Sequence, residues 1–319
     1  MRTKRVRVLA VAAGAATALL VAVAQPAAAA QSAAAPAYPV ENHFPVGLLS
    51  GFLTPDQAPP GANDWSCEPS AAHPDPVVLV HGTAESMDDY WRGAAPLLAD
   101  AGYCVYAFNY GGAPGAPVQG LGPIADSAGR LSAFVDQVLA ATHAAKVDLV
   151  GHSQGGGLLP RYYLKNLGGA AKVAKLVGIT PNNNGTTLDG LTRLGRQLGL
   201  LEPANSLLDT SCAACVEQEI GSPFLTQLNA GGLTAPGVDY TVIATRFDEV
   251  VTPYTNSFLP DGPQVTDLTL QDQCPLDATD HLEAGYDPVA LADVLNALDP
   301  AHPSPVPCRI VLPITGPLR

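Results

Sequence analysis

Gly151-His152-Ser153-Gln154-Gly155 follows directly on the run Val147-Asp148-Leu149-Val150, and no other feature of the sequence restricts the fold as much. A short apolar run suits a strand buried on both faces. Glycine at both ends of a Gly-x-Ser-x-Gly window permits a tight turn from that strand into a helix. Such a turn lifts the serine hydroxyl above the sheet, where it can attack a carbonyl carbon. Short motifs also recur in ordinary glycine-rich turns. The reading therefore depends on whether the chain supplies a base, an orienting acid and an oxyanion site.

The flanking sequence alternates strands and helices. Strands are expected at Val77–Val80, Tyr103–Phe108 and Val147–Val150, within Lys172–Thr180, and at Tyr240–Ala244 and Val265–Leu270. Helical spacing marks about 89–100, 126–144, 156–167 and 288–298, with Pro160 expected to loosen or kink the third. Residues 31–76, rich in Ala, Pro and Gly, read as an extended segment over the surface. The alternation predicts an α/β fold, an open and mostly parallel sheet with helices on both faces. One segment breaks the rhythm: between Asn184 and Gly237, Leu188, Leu191, Leu194, Leu198 and Leu201 recur at steps of three and four. They predict an amphipathic helix, either packed on the core or forming a lid over the serine.

Arg2, Lys4, Arg5 and Arg7 precede an apolar run from Val8 to Ala24, and Ala28-Ala29-Ala30 offers a small-residue cleavage site. That is the pattern of a secretory signal peptide over residues 1–30, which leaves residues 31–319 as one domain. A transmembrane anchor is the competing reading. Alanine dominates the run and no second hydrophobic span follows, so a secreted, extracellular chain without a stable membrane anchor is expected. Removing those four basic residues leaves 12 against 29 acidic ones, a net charge of −17. Such a surface repels nucleic acid and anionic membranes. A monomer is expected.

All six cysteines, Cys67, Cys104, Cys212, Cys215, Cys274 and Cys308, lie beyond the export segment. Six cysteines allow 15 pairings. The preferred one joins nearest neighbours along the chain: Cys67–Cys104, Cys212–Cys215 and Cys274–Cys308. A redox or zinc role for Cys212-Ala-Ala-Cys215 lacks a second Cys pair or His pair beside it.

In a strand–elbow–helix arrangement the catalytic partners follow in the order nucleophile, acid, histidine. Only His281 and His302 lie downstream of Ser153. His302 sits beyond the last helix in a peripheral tail, so His281 is the expected base. Asp248, directly after the run Tyr240–Phe247, is the expected acid, ahead of Glu249, Asp272, Asp277 and Asp280. Backbone N–H groups of Gln154 and of Thr83, in His81-Gly82-Thr83, are the expected oxyanion donors. His81 and His152 are expected to orient these turns. Asp277, Asp280 and Glu283 match no defined calcium loop and read as solvated carboxylates. No metal or cofactor is expected.

Taken together, these segments resemble the secreted actinobacterial "class 2" lipases of the α/β-hydrolase superfamily. The likeness rests on Val80-His81-Gly82-Thr83, Gly151-His152-Ser153-Gln154-Gly155-Gly156, Phe247-Asp248-Glu249-Val250-Val251-Thr252-Pro253 and Asp280-His281. It runs from about residue 65 to 308. The resemblance implies an α/β-hydrolase fold with a lid within residues 186–236. It also implies hydrolysis of acylglycerols or similar esters by Ser153, His281 and Asp248, with an oil–water interface as one setting for the substrate. A short-chain esterase, a cutinase-like polyester hydrolase, a secreted acyltransferase and a non-catalytic binding module are the alternatives. Met87, Tyr90, Trp91, Leu158 and Leu159 are candidates either for an acyl-chain pocket or for plain core.

Overall fold

The computed structural model describes residues 38–187, 205 and 208–318. The expected export segment and the leucine-periodic helix at 188–201 lie outside those residues.

Six parallel strands form the sheet, in the order β2-β1-β3-β4-β5-β6. They are β1 Val77–Val80, β2 Val105–Ala107, β3 Val147–His152, β4 Val173–Ile179, β5 Asp239–Ala244 and β6 Val265–Thr269. All six fall within or at the margins of the apolar runs read from the sequence. β3 lies between β1 and β4, and every one of its residues is buried. Side chains alternate between the two faces. Val78, Val80 and Leu149 pack on one side with Leu131, Val135, Leu158 and Leu164. Val77, Leu79, Val150, Ile179 and Ile243 pack on the other with Leu98, Leu291 and Val294. Helices therefore cover both faces, the arrangement expected for a parallel sheet.

The helices differ from the expectation in three places. Residues 31–76 were expected to be extended, but Phe44–Leu53 forms a helix, α1. Its glycines are four residues apart on one face. A side chain at Gly47 would overlap the Tyr286 hydroxyl, and one at Gly51 would overlap Asp89. Composition alone reads those glycines as loop, whereas here they allow close packing of the helix. The stretch 89–100 splits into α2, Met87–Tyr90, and α3, Ala94–Asp100. Gly93 marks the break, where a Cβ would meet the carbonyl oxygens of Glu41 and Gly285 at 2.9 and 3.0 Å. After α4, Ile124–Thr142, the helix α5 spans Leu158–Asn166. Pro160 falls in its first turn, where no intrahelical N–H is required, so it neither breaks nor unwinds the helix.

Cys67 is bonded to Cys104, Cys212 to Cys215 and Cys274 to Cys308, with Cα–Cα separations of 5.7, 5.3 and 5.1 Å. The first bridge ties the amino-terminal segment beside β2. The last holds the proline-rich tail that follows the helix Pro288–Leu298. No described helix is long and apolar enough to cross a membrane.

Candidate active site

β3 ends at His152, and the chain enters a short 3-10 turn, Ser153–Gly155, before α5. Ser153 has φ +50°, a region that L-residues with side chains rarely occupy. The turn closes only because its glycines have no side chains. A Cβ at Gly151 would overlap the Gly155 carbonyl, and one at Gly156 would overlap the Gly151 carbonyl. A Cβ at Gly155 would overlap the carbonyl oxygens of Val80 and His81, at the end of β1. The serine turn is thus wedged against the neighbouring strand.

His281 and Asp248 meet at the carboxyl ends of β6 and β5. His281 Nδ1 lies 3.0 Å from Asp248 Oδ2, with both side chains almost wholly buried. The other carboxylate oxygen, Asp248 Oδ1, accepts the N–H groups of Val250 and Val251 at 2.9 and 2.7 Å. Those bonds fix which oxygen faces the imidazole. The backbone of His281 is held on both sides: its N–H donates to Glu249 Oε2, and its carbonyl lies 3.0 Å from His152 Nε2. Ring centroids of His152 and His281 are 4.6 Å apart. His281 is therefore bonded directly to the residue that precedes Ser153. Burial opposes charging of His281, but the Asp248 charge and hydrogen bond outweigh it and raise its pKa above the ordinary histidine value.

Of the rival acids, Glu249 meets His281 only at its backbone N–H, and the other three are engaged elsewhere. Asp272 pairs with Arg246 at the surface, Asp277 accepts the Thr279 N–H, and Asp280 accepts the Glu283 N–H. Glu283 accepts the Phe44 N–H, and burial pushes its pKa up to about 9. Asp277, Asp280 and Glu283 are therefore buried structural acceptors and not the solvated groups expected. His302 is exposed and bonded to Asp299.

Thr83 and Gln154 also come together. Gln154 Nε2 donates to Thr83 Oγ1 at 2.8 Å and to the Gly120 carbonyl at 2.9 Å. Sequence reasoning did not identify Gln218. Its Nε2 donates to Thr83 Oγ1 at 2.9 Å, while its Oε1 accepts from Asn182 Nδ2 at 2.6 Å. The Thr83 hydroxyl accepts from both amides and donates in turn to Gln218 Oε1 at 3.3 Å. Gln218 is 135 residues from Thr83 in sequence, and no local pattern flags it. His81 stacks on Tyr110 with centroids 4.2 Å apart, and its Nδ1 lies 2.8 Å from the Gly82 carbonyl. Burial lowers its pKa to about 4, so it serves the turn as a neutral ring. Met87, Tyr90 and Trp91 belong to one core cluster and Leu158 and Leu159 to the other.

A family model for lipase (class 2) matches residues 74–290, a span that contains Thr83, Ser153, Gln154, Gln218, Asp248 and His281. The chain belongs to the class 2 lipase family. Among curated relatives, a triacylglycerol lipase of Pseudarthrobacter phenanthrenivorans is 45% identical over 92 residues, 27% of each chain. A triacylglycerol lipase of Burkholderia plantarii is 45% identical over 92 residues, 27% of this chain and 24% of that one. The match thus spans about a quarter of the length of either relative. In fold, the chain is similar to the crystal structure of Aspergillus fumigatus lipase B. The TM-score is 0.59 at 22% identity, over 78% of this chain and 57% of that one. The fold is that of the α/β-hydrolases.

Proposed function

We propose that this class 2 lipase is a secreted carboxylic-ester hydrolase acting on triacylglycerols through Ser153, His281 and Asp248. The observation that carries the reading is the buried Asp248–His281 pair, bonded through the His281 carbonyl to His152, the residue beside the serine turn. In this reading His281 takes the Ser153 proton through Nε2 while Asp248 holds the proton on Nδ1. Ser153 attacks the ester carbonyl, and the N–H groups of Gln154 and Thr83 bind the oxyanion. Gln154 and Gln218 brace the Thr83 hydroxyl beside them. His281 then protonates the departing alcohol, and water repeats the cycle on the acyl-enzyme.

Residues 1–30 serve as the export signal, in keeping with three disulfides. To this reading we also assign the lid expected within residues 186–236; among its described residues, Gln218 reaches the site. The test is hydrolysis of p-nitrophenyl esters of increasing chain length and of emulsified triacylglycerol, by wild type and Ser153→Ala. Loss of at least about a thousandfold in Ser153→Ala is expected, with long-chain and emulsified substrates preferred by the wild type. Full activity in Ser153→Ala would overturn the mechanism. Equal activity on dissolved and emulsified esters would replace the lipase reading with an esterase or polyester hydrolase.

A further inference from the structure

Glu85 stands just before the α2 cap and carries no role in the mechanism above. It is buried, and each of its oxygens meets a different part of the site. Oε2 accepts the Gly82 N–H at 2.5 Å, and Oε1 lies 2.8 Å from His152 Nδ1. The opposite edge of the same imidazole, His152 Nε2, lies 3.0 Å from the His281 carbonyl. The ring itself is stacked on Tyr90 with centroids 3.9 Å apart. A Cβ at Gly82 would sit 2.8 Å from Glu85 Oε2 and 2.9 Å from His152 Nδ1, so only glycine leaves room for this junction.

The proton positions follow from elementary chemistry. A carbonyl oxygen only accepts, so His152 must donate from Nε2 to His281. His152 is fully buried, and its pKa is driven well below the ordinary value by burial and then by His281. Its single proton is therefore on Nε2, and Nδ1 presents a lone pair. Nδ1 has no in-line hydrogen-bond partner, and Glu85 Oε1 lies 2.8 Å from it, so two lone pairs would be in repulsive contact unless that oxygen carries a proton.

We propose that Glu85 is a neutral carboxylic acid and a positioning residue, whose O–H to His152 clamps the Gly82–Thr83 loop to the backbone of His281. This inference rests on the reading of Ser153 and His281 as nucleophile and base. One buried proton thereby aligns the oxyanion loop, the serine turn and the base. Burial pushes the Glu85 pKa up to about 8, against the Gly82 N–H and the His281 charge, which lower it. Ionisation would leave a carboxylate lone pair facing the His152 lone pair and open the clamp. The sign is that of a raised carboxyl: the clamp's contribution is complete below the ordinary carboxyl pKa and is lost as pH rises through about 8.

Several titratable groups face Glu85. From its own element come Asp89 and Tyr90, from the strand ends His152 and Tyr110, and from the base loop and beyond His281 and Tyr286. The three tyrosines are held well above their ordinary value, chiefly by burial, and stay neutral. Asp89 is the group to separate, since burial and then Glu85 push it up to about 8 as well.

The experiment uses Glu85→Gln, Glu85→Ala and Asp89→Asn, with kcat and kcat/KM measured from about pH 6 to about pH 10 on a dissolved ester. A glutamine amide donates to His152 and accepts from Gly82 as the neutral acid does, but cannot ionise. Glu85→Gln should keep activity within about threefold and lose the alkaline fall near pH 8. Asp89→Asn should retain that fall. Glu85→Ala should lose at least about tenfold in kcat with a smaller change in KM. The second readout is the infrared carbonyl band of a protonated carboxyl, which should vanish in Glu85→Gln and titrate near pH 8 in the wild type. The clamp is overturned if Glu85→Gln is as inactive as Glu85→Ala, if its alkaline limb matches the wild type, or if no such band is lost. A wild type that hydrolyses no ester would strike the function reading, and the infrared titration would then decide the protonation of Glu85 by itself.

Discussion

Asp248→Asn gives the sharpest test of the proposed base, because the surrounding hydrogen bonds dictate how the asparagine must sit. Asp248 Oδ1 accepts two main-chain N–H groups, from Val250 and Val251. Only a carbonyl oxygen can replace it there, so the NH2 group of the introduced asparagine is forced into the Oδ2 position, facing His281 Nδ1. Nδ1 must then accept, and its proton moves to Nε2, the atom required to take the Ser153 proton. The variant keeps volume, burial and two of three hydrogen bonds, yet holds the imidazole in the wrong tautomer. The corresponding change in a serine protease triad lowers kcat about 10⁴-fold, or roughly 5 kcal/mol of barrier. Loss of the carboxylate also removes what raises the His281 pKa, so the acid limb should move to lower pH. In the wild type that limb falls as pH drops through the raised pKa, since only neutral His281 is a base. The assay is kcat on a dissolved p-nitrophenyl ester from about pH 5 to about pH 9, with Glu249→Gln as the control. A loss smaller than about tenfold, or an acid limb that stays in place, would refute the assignment of Asp248.

Three further outcomes are expected. Gly155→Ala puts a methyl into the carbonyls of Val80 and His81; with backbone on both sides it should cost about 3 kcal/mol in urea unfolding and about a hundredfold in turnover as Ser153 shifts. Unchanged kinetics there would mean that the turn has slack. Gln218→Leu removes a donor to Thr83 and strands Asn182 Nδ2; a kcat lowered about tenfold is expected, and an effect on stability alone would deny Gln218 its role at the site. Removing the Cys67–Cys104 bridge, which closes a separation of 37 residues, should cost about 4 kcal/mol, against about 2 kcal/mol for Cys212–Cys215, separated by 3. Equal losses in denaturant titrations would argue that native-state contacts, not loop entropy, set the difference.

What the sequence revealed and what it withheld divide along a physical line. β1, β3 and β5 were legible because runs such as Val77–Val80 are buried on both faces and carry their environment in their composition. Ser153 was legible because the turn around it is sterically possible only with glycine at both ends. His281 and Asp248 followed from chain order once that turn was accepted. The helix Phe44–Leu53 was missed because its glycines serve packing against Tyr286 and Asp89, contacts that have no local signature. Gln218 and Asn182 were missed for the same reason: they act through hydrogen bonds between residues far apart in the chain.

Glu85 shows a further way in which a sequence conceals chemistry. Counting charges assigns one negative unit to every Asp and Glu, and that count underlies the net −17 of the chain without residues 1–30. Burial pushes Glu85 and Asp89 up to about 8 and Glu283 up to about 9, so at pH 7 all three are mostly neutral. The sign of the net charge does not change, because the remaining carboxylates still far outnumber the bases. The functional meaning of the three does change. A residue read as surface charge becomes a hydrogen-bond donor, and a carboxylic acid that donates can hold together two loops that a carboxylate would push apart. In Glu85 that distinction depends on the water-excluding protein packed around it, which is why its role is visible only once His152 and Gly82 are seen on either side of its carboxyl group.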